Sequence, residues 1–153
     1  MLTEVAKDNI ESLVDPGESF KIVVTGYSML PLLGYGRDTI VVRRTYSDEP
    51  IGGRIAMFRA KDRHIIVHRV IAVDGDNVTF QGDGNPYQRE HCKRGDVVGV
   101  VDEVIREDGR TVSCITRRWR LRECVWLCQH TLVRRYALAI LRRLANCKRK
   151  NRG

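Results

Sequence analysis

Residues 64–80 read HIIVHRVIAVDGDNVTF, two runs rich in valine and isoleucine on either side of the turn sequence DGDN. β-Branched residues favour strands, and a short turn rich in Asp, Gly and Asn joins two antiparallel strands into a hairpin. The stretch therefore predicts a β-hairpin with strands at 64–73 and 77–80. The same alternation of short strands and turn residues continues in both directions along the chain.

Five further strands are predicted from the same signals. They are expected at residues 20–24, 39–44, 54–59, 97–105 and 111–115. The segments between them are rich in Gly, Asp, Asn and Pro, the residues of turns. Only one helical turn, near residues 29–33, interrupts the pattern. This spacing predicts a mainly β domain over residues 20–116, formed as a compact β-barrel or a folded sheet.

Helical segments are predicted on both sides of this β domain. Residues 1–19 favour a short N-terminal helix, capped by Thr3 and ended by the breaker DPGES. Residues 117–153 predict a basic amphipathic helical tail with a bend near residues 129–131. Its apolar side is expected to contain Val133, Tyr136, Ala137, Ile140, Leu141, Leu144 and Cys147.

The net charge of +8 comes from this tail, because residues 117–153 hold 12 Lys or Arg and a single acid, Glu123. An amphipathic basic helix with tryptophans suits an anionic membrane surface, so residues 117–148 are expected to bind one. In a second interpretation the apolar side packs on the chain's own β domain and the arginines are solvated. Nucleic acid is not the expected partner, but arginines beside Trp119 and Trp126 keep it open as an alternative.

Composition excludes several classes of protein. A hydrophobic fraction of 42% with 30% charged residues is typical of a globular domain. No run of apolar residues is long enough for a transmembrane helix or placed as a secretory leader, so a cytoplasmic or peripherally membrane-associated protein is expected. The five cysteines are odd in number, and Cys124 and Cys128 lack zinc-knuckle spacing. Neither a disulfide framework, a metal nor another cofactor is predicted.

The candidate chemistry centres on Ser28, in the segment GYSMLP that follows an apolar strand. A serine is nucleophilic at neutral pH only beside a base. Of the four histidines, His68 is set inside the apolar strand 64–73, where its ring would be desolvated and held in one direction. A histidine in a strand is more often an ordinary core residue, so the pattern alone leaves the pairing of Ser28 with His68 open.

Five segments in a fixed order carry a resemblance to a known family. They are GYSMLP at 26–31, RDTIVV at 37–42, GGRIAMF at 52–58, VHRVI at 67–71 and FQGDGNP at 80–86. Together they resemble the conserved boxes of type I signal peptidases, over about residues 20–104. Histidine before Arg-Val is similar to the archaeal and endoplasmic-reticulum branch; LexA-like peptidases, which use lysine as the base, are a more distant likeness.

The resemblance implies a serine endopeptidase acting on a peptide or preprotein substrate bound as an added strand. It implies Ser28 as the nucleophile, His68 as the general base and Asp83 as the supporting acid. Gly26, Tyr27, Met29 and Pro31 would contact the substrate, and the Ser28 backbone N–H would stabilise the oxyanion.

The chain departs from the family pattern at several positions. Gly53-Arg54 stands where the family has Gly-Asp. The histidine branch has a second aspartate about six residues after the first, and here Glu90 is the acid in that stretch, preceded by Arg89. A LexA-like self-cleaving regulator and an inactive peptide-binding relative are therefore the alternatives. About 19 residues precede the first predicted strand, too few for the DNA-binding domain of a LexA-like protein.

Overall fold

The computed structural model describes residues 13–129 and 131–150, within which the chain forms eight strands followed by two helices. A short 3-10 turn, Arg94–Asp96, lies between the sixth and seventh strands. The elements are β1 (Ser19–Val23), β2 (Thr39–Arg44), β3 (Ile55–Arg59), β4 (Ile65–Asp74), β5 (Asn77–Gly82), β6 (Asn85–Lys93), β7 (Val97–Ile105), β8 (Thr111–Ser113), α1 (Arg117–Leu127) and α2 (Thr131–Lys150). Most of the helix predicted over residues 1–19, with its cap at Thr3, lies outside the described residues.

The strands form one antiparallel sheet in the order β1-β2-β7-β3-β4-β5-β6, with β8 added on β7. Within the described ranges β1 and β6 pair on one side only, so the sheet is open. Irregularities in register at Val41/Val42 and Met57/Phe58 are bulges of the kind that bend strands. The predicted mainly β fold is confirmed in its folded-sheet form; the closed barrel is not.

Seven of these strands were expected from the sequence, each within two residues at either end, but β6 was not. Its sequence, NPYQREHCK, begins with turn-forming residues and has no hydrophobic alternation. Proline and exposed polar residues are tolerated in β6 because it is an edge strand, paired only with β5 among the described residues. The sequence signal of this strand is therefore weak, although its position next to β5 proves important for the site.

Both faces of the central strands are buried. Along β3, Ile55 and Met57 pack into a main core cluster, whereas Ala56 and Phe58 pack into a second cluster on the other face. This division follows the two-residue period of a strand. In the second cluster the ring of Phe58 stacks on that of Phe80, with 3.9 Å between centroids. A sheet covered on both sides holds its strands in a single register.

The helical segment is part of the packed structure. Thr116 caps α1 by accepting a hydrogen bond from the Trp119 backbone N–H. Trp119 is buried in the main core cluster, and Trp126 packs with Leu30 and Leu138 in a third cluster. Both indoles are thereby removed from solvent. The bend expected near residues 129–131 is a complete break, since α1 ends at Leu127 and α2 begins at Thr131.

Helix α2 contacts the β domain through a face different from the one expected. Leu138 is the buried residue of its docked face, with Ala137 partly covered beside it. Most residues of the predicted apolar side are instead exposed: Val133, Tyr136, Ile140 and Leu144. The interpretation in which this side covers the β domain is therefore not what the structure shows. No helix among the described residues has the length and hydropathy needed to cross a bilayer.

Candidate active site

The loop that carries Ser28 is held by buried residues on its C-terminal side. After β1 ends at Val23, the chain makes a helical turn in which the Leu33 N–H donates to the Met29 carbonyl oxygen at 3.0 Å. Met29 and Leu33 are both buried in the main core cluster. Ser28 itself is half-buried, and the peptide bond between Leu30 and Pro31 is cis. The loop thus holds a partly accessible hydroxyl next to a buried turn.

Three side chains from separate parts of the fold form a continuous chain of hydrogen bonds. Ser28 Oγ lies 2.8 Å from Nε2 of His68, and Nδ1 of the same ring lies 2.8 Å from Oε2 of Glu90. His68 comes from β4 and is only 6% exposed, while Glu90 comes from the edge strand β6. The sheet therefore brings together the predicted serine and histidine, and adds a carboxylate behind them.

This arrangement has a definite chemical capability. A carboxylate only accepts hydrogen bonds, so Glu90 selects the tautomer with the proton on Nδ1 of His68. Nε2 is then left as an acceptor facing the Ser28 hydroxyl. An imidazole held in this way can remove the hydroxyl proton as the oxygen attacks a carbonyl carbon. The three residues have the relative placement of a serine nucleophile, its base and the acid that orients the base.

Asp83 has a different partner from the one expected. Its two carboxylate oxygens accept from Nε and Nη2 of Arg69, at 2.8 and 2.7 Å, and both residues are buried. Arg69 also donates from Nη1 to Glu123 of α1 at 2.9 Å. The acid bonded to the histidine ring is Glu90, so the expectation that Asp83 is the acid supporting His68 is corrected. His68 and Arg69 are adjacent in β4, so their side chains point to opposite faces of the sheet. Asp83 lies on the face of Arg69 and therefore bonds to Arg69, not to the His68 ring.

Arg69 and Asp83 form a buried ion pair in which both groups are charged. Burial alone lowers the pKa of the Arg69 guanidinium, but hydrogen bonds and charges from Asp83 and Glu123 outweigh it, so that the pKa is raised above its usual range. The guanidinium stays charged, and its fork holds Asp83 in a bidentate geometry. Asp83 thus fixes the turn after β5 in place.

That turn lies directly against the Ser28 loop. The Gly84 N–H donates to the Ser28 carbonyl oxygen at 2.6 Å. A Cβ on Gly82 would lie 2.6 Å from the same oxygen and 3.2 Å from Nε2 of His68. A Cβ on Gly84 would lie 2.9 Å from the Tyr27 carbonyl oxygen. Glycine is therefore required at both positions, because any side chain would push the turn away from the serine.

Comparison with known families bears on this geometry. A family model described as Peptidase S24-like matches residues 3–105, a span that includes Ser28, His68 and Glu90. The chain belongs to the Peptidase S24-like family. No curated protein matches the chain.

The S24-like family covers LexA-like and signal-peptidase-like serine peptidases, so the broad class expected from the sequence boxes is confirmed. The family match does not single out the branch with a histidine base. In this S24-like chain the position that faces the serine holds His68, whereas LexA-like peptidases use a lysine. Helices α1 and α2 lie outside the matched span.

The other residues expected to contact a substrate are distributed differently around the loop. Gly26 has room for a Cβ, which would meet Ser28 Oγ at an ordinary 3.8 Å. Tyr27 stacks on Tyr35, with ring centroids 4.7 Å apart. Met29, at 3% exposed, packs in the core and does not face a substrate. Pro31 borders a cavity of about 850 Å³ that opens between α1 and the segment joining β7 to β8.

The two helices of this S24-like chain reach the turn from its other side. Trp126 Nε1 and Arg134 Nη2 both donate to the Asp83 carbonyl oxygen, at 3.1 and 3.0 Å. Arg142 Nη2 donates to the Gly84 carbonyl oxygen at 2.9 Å. The Arg134 guanidinium also lies 5.6 Å from the centre of the Trp126 ring. The sequence contained no signal for these contacts, since arginines of an amphipathic helix are normally expected to face water.

Proposed function

We propose that this chain is a serine endopeptidase in which Ser28 is the nucleophile, His68 the general base and Glu90 the acid that orients the imidazole. The observation that carries the proposal is the unbroken hydrogen-bond chain from Ser28 Oγ through His68 to Glu90, with both distances at 2.8 Å. Membership of the S24-like family supports the reaction class. We assign Ser28 as the nucleophile because His68 lies beside it as a base; its position in the loop alone would not be enough.

The proposed reaction has two stages. Ser28 Oγ forms a bond to the peptide carbonyl carbon while its proton passes to Nε2 of His68. The C–N bond then breaks, the amine leaves with the proton from Nε2, and an acyl-enzyme remains. A water molecule then gives a proton to the same nitrogen as its oxygen attacks the ester carbon. The ester C–O bond breaks, Ser28 Oγ takes the proton back from Nε2, and the acid product is released. Glu90 accepts from Nδ1 throughout and stabilises the positively charged ring.

The oxyanion formed in each stage requires a hydrogen-bond donor. Among the described residues no acceptor is bonded to the Ser28 backbone N–H, while the carbonyl oxygen of Ser28 is held by Gly84. This N–H is therefore available as the donor that we propose for the oxyanion.

The proposed substrate is an extended peptide of the preprotein type, bound as an added strand. Among the described residues, β1 and β6 are the end strands of the open sheet, and we propose them as the docking edges. The chain passes from the end of β1 at Val23 into the Ser28 loop, and β6 carries Glu90. A peptide paired with either strand would extend toward the Ser28 hydroxyl, which is half-buried and thus open to one side.

The test is covalent labelling with a serine-reactive acylating probe. The wild-type chain should be acylated on Ser28, Ser28→Ala should not react, and His68→Ala should react far more slowly. Ser47→Ala, a change of the same kind at an exposed loop serine, should label like the wild type. Labelling spread evenly over several serines, or equal rates for wild type and His68→Ala, would contradict the proposal.

Self-cleavage is a second candidate because the S24-like family covers LexA-like peptidases. Mass spectrometry of the intact chain separates the two functions. A self-cleaving protein splits its own chain once and leaves added peptides intact, whereas an endopeptidase cleaves a peptide library repeatedly and keeps its mass. Ser28→Ala should abolish either activity.

A further inference from the structure

Helix α2 has two opposite faces with different surroundings. One face docks on the site: Leu138 is 4% exposed, and Arg134 and Arg142 donate to the backbone of residues 83–84. Two of the residues that anchor this helix, Arg134 and Arg142, therefore support the turn beside Ser28. The other face of the helix does not contribute to this packing.

The outward face carries an apolar row, which we define as Val133, Tyr136, Ile140 and Leu144. Their exposed fractions are 55%, 71%, 60% and 57%, although all are large hydrophobic residues. Steps of three and four residues place them on one side of a helix. An aligned set of exposed aliphatic and aromatic side chains on a water-facing helix is typical of an interaction surface.

The same two helices carry many exposed arginines. Arg135 and Arg143 of α2 are exposed, as are four arginines of α1: Arg117, Arg118, Arg120 and Arg122. The single acid of the tail, Glu123, is already bonded to Arg69 and to the Trp119 indole. The helices thus expose both arginines and hydrophobic side chains, and Glu123 does not neutralise the exposed arginines because it is bonded elsewhere.

We propose that the apolar row of α2 docks in the interface of an anionic lipid bilayer, with the exposed arginines against the lipid headgroups. Apolar burial plus attraction to anionic lipid is what holds such helices at a membrane surface. Nucleic acid would attract the arginines but would not use the apolar row, and the buried Trp119 and Trp126 are not available for stacking on bases. A second copy of the chain would bring like charges together.

The orientation of α2 gives this docking a consequence for the site. The helix that meets the bilayer holds residues 83–84 with its opposite face, so the Ser28 site would be held at a set distance from the membrane surface. This part rests on the proposed function, whereas the docking itself does not. The experiment therefore measures lipid binding directly, with acylation of Ser28 as a separate readout.

The test uses the full chain with vesicles of phosphatidylcholine, with and without phosphatidylserine. The chain should float with the phosphatidylserine vesicles, and the bound fraction should fall between about 0.1 M and about 0.5 M salt as the charges are screened. It should stay largely unbound with phosphatidylcholine alone. Equal binding to both vesicles, or none to either, would overturn the proposal.

Two matched variants separate the apolar row from the charge. Ile140→Glu should lower vesicle affinity at least tenfold more than Ala139→Glu, because only Ile140 loses the burial of a large apolar side chain. Ala139 is the preceding exposed residue, and its substitution makes the same change in charge. Equal losses for the two variants would exclude the apolar row.

Thermal unfolding followed by circular dichroism should give the same transition for both variants and the wild type. A wild-type chain that forms a dimer dissolved by Ile140→Glu, while staying off the vesicles, would assign the apolar row to a contact between copies and overturn the lipid proposal. Loss of Ser28 acylation in all samples with intact vesicle binding would contradict the proposed function alone.

Discussion

The carboxylate of Glu90 lies 2.8 Å from Nδ1 of His68, although the two residues are 22 apart in sequence and strand β5 separates their strands. Gly82, at the end of β5, leaves the space on the other side of the ring open, where Nε2 of His68 faces Ser28. The sequence comparison suggested a single supporting acid, Asp83, but in the structure two acids share that role. Glu90 meets the imidazole, and Asp83 holds the backbone beside it.

Glu90→Gln should lower kcat by roughly a hundredfold or more while leaving the fold intact. The amide keeps the size of the side chain but no longer stabilises the charged imidazole or selects its tautomer. Steady-state cleavage of a peptide substrate, or the rate of Ser28 acylation, measures the effect. Asp48→Asn, which makes the equivalent change at an exposed position, is the control. Wild-type kcat in Glu90→Gln would remove this residue from the site.

Ser28→Ala and His68→Ala should each abolish nearly all turnover, and the double variant should be no slower than either. The reason is that the two side chains, 2.8 Å apart, act on one proton as a unit. Comparing the three variants under identical conditions measures their coupling. If the losses of the single variants multiplied in the double variant, the residues would act independently and the shared-proton mechanism would be wrong.

Asp83→Ala should destabilise the chain by about 3–5 kcal/mol, because it leaves the Arg69 guanidinium buried without its main partner. Both side chains of this ion pair are almost fully buried, at 5% and 1% exposed, so solvent screens the interaction little. Urea denaturation measures the change in the free energy of unfolding. Glu90→Gln should lose far less stability. A small effect of Asp83→Ala on unfolding would show that the pair contributes little to holding the turn.

Gly82→Ala should reduce the rate of Ser28 acylation strongly, since its Cβ would lie 2.6 Å from the Ser28 carbonyl oxygen. The loop or the turn must move, and the bond from Ser28 Oγ to His68 is the first contact affected. Gly52→Ala is the matched control, because no atom lies within 4 Å of its added Cβ. Equal acylation rates in the two variants would show that the turn tolerates displacement.

The thiol of Cys114 should report on the packing of α1. Burial, followed by the charge of Glu123, raises the pKa of this thiol to about 12, so at pH 8 it is almost entirely protonated and unreactive. Iodoacetamide should modify exposed Cys147 quickly and Cys114 slowly, as followed by peptide mass spectrometry. Trp119→Ala should speed modification of Cys114 and leave Cys147 unchanged. Rapid reaction of Cys114 in the wild type would contradict the packing of α1 against the core.

The local pattern of the sequence determined most of the strands, because valine-rich runs and turn residues act over a few positions. It also determined the nomination of Ser28 and His68, through the order of the boxes and their resemblance to signal peptidases. Strand β6 was missed because an edge strand needs no buried alternation, and with it the placement of Glu90 was left undecided. Which acid meets a histidine depends on strand order, which no local pattern contains.

The tail shows the same division between local and long-range information. Periodicity predicted a helical tail with a bend and an apolar side, and the structure divides this tail into two helices at the expected position. It did not indicate which side of α2 faces the β domain, because that choice depends on the partners available. The carbonyl oxygens of residues 83–84 are acceptors that Arg134 and Arg142 reach, and Leu138 fits beside Leu30. Only the tertiary structure brings these groups together. Because their contacts dock one face of α2 on the β domain, the apolar row on the opposite face is exposed to solvent.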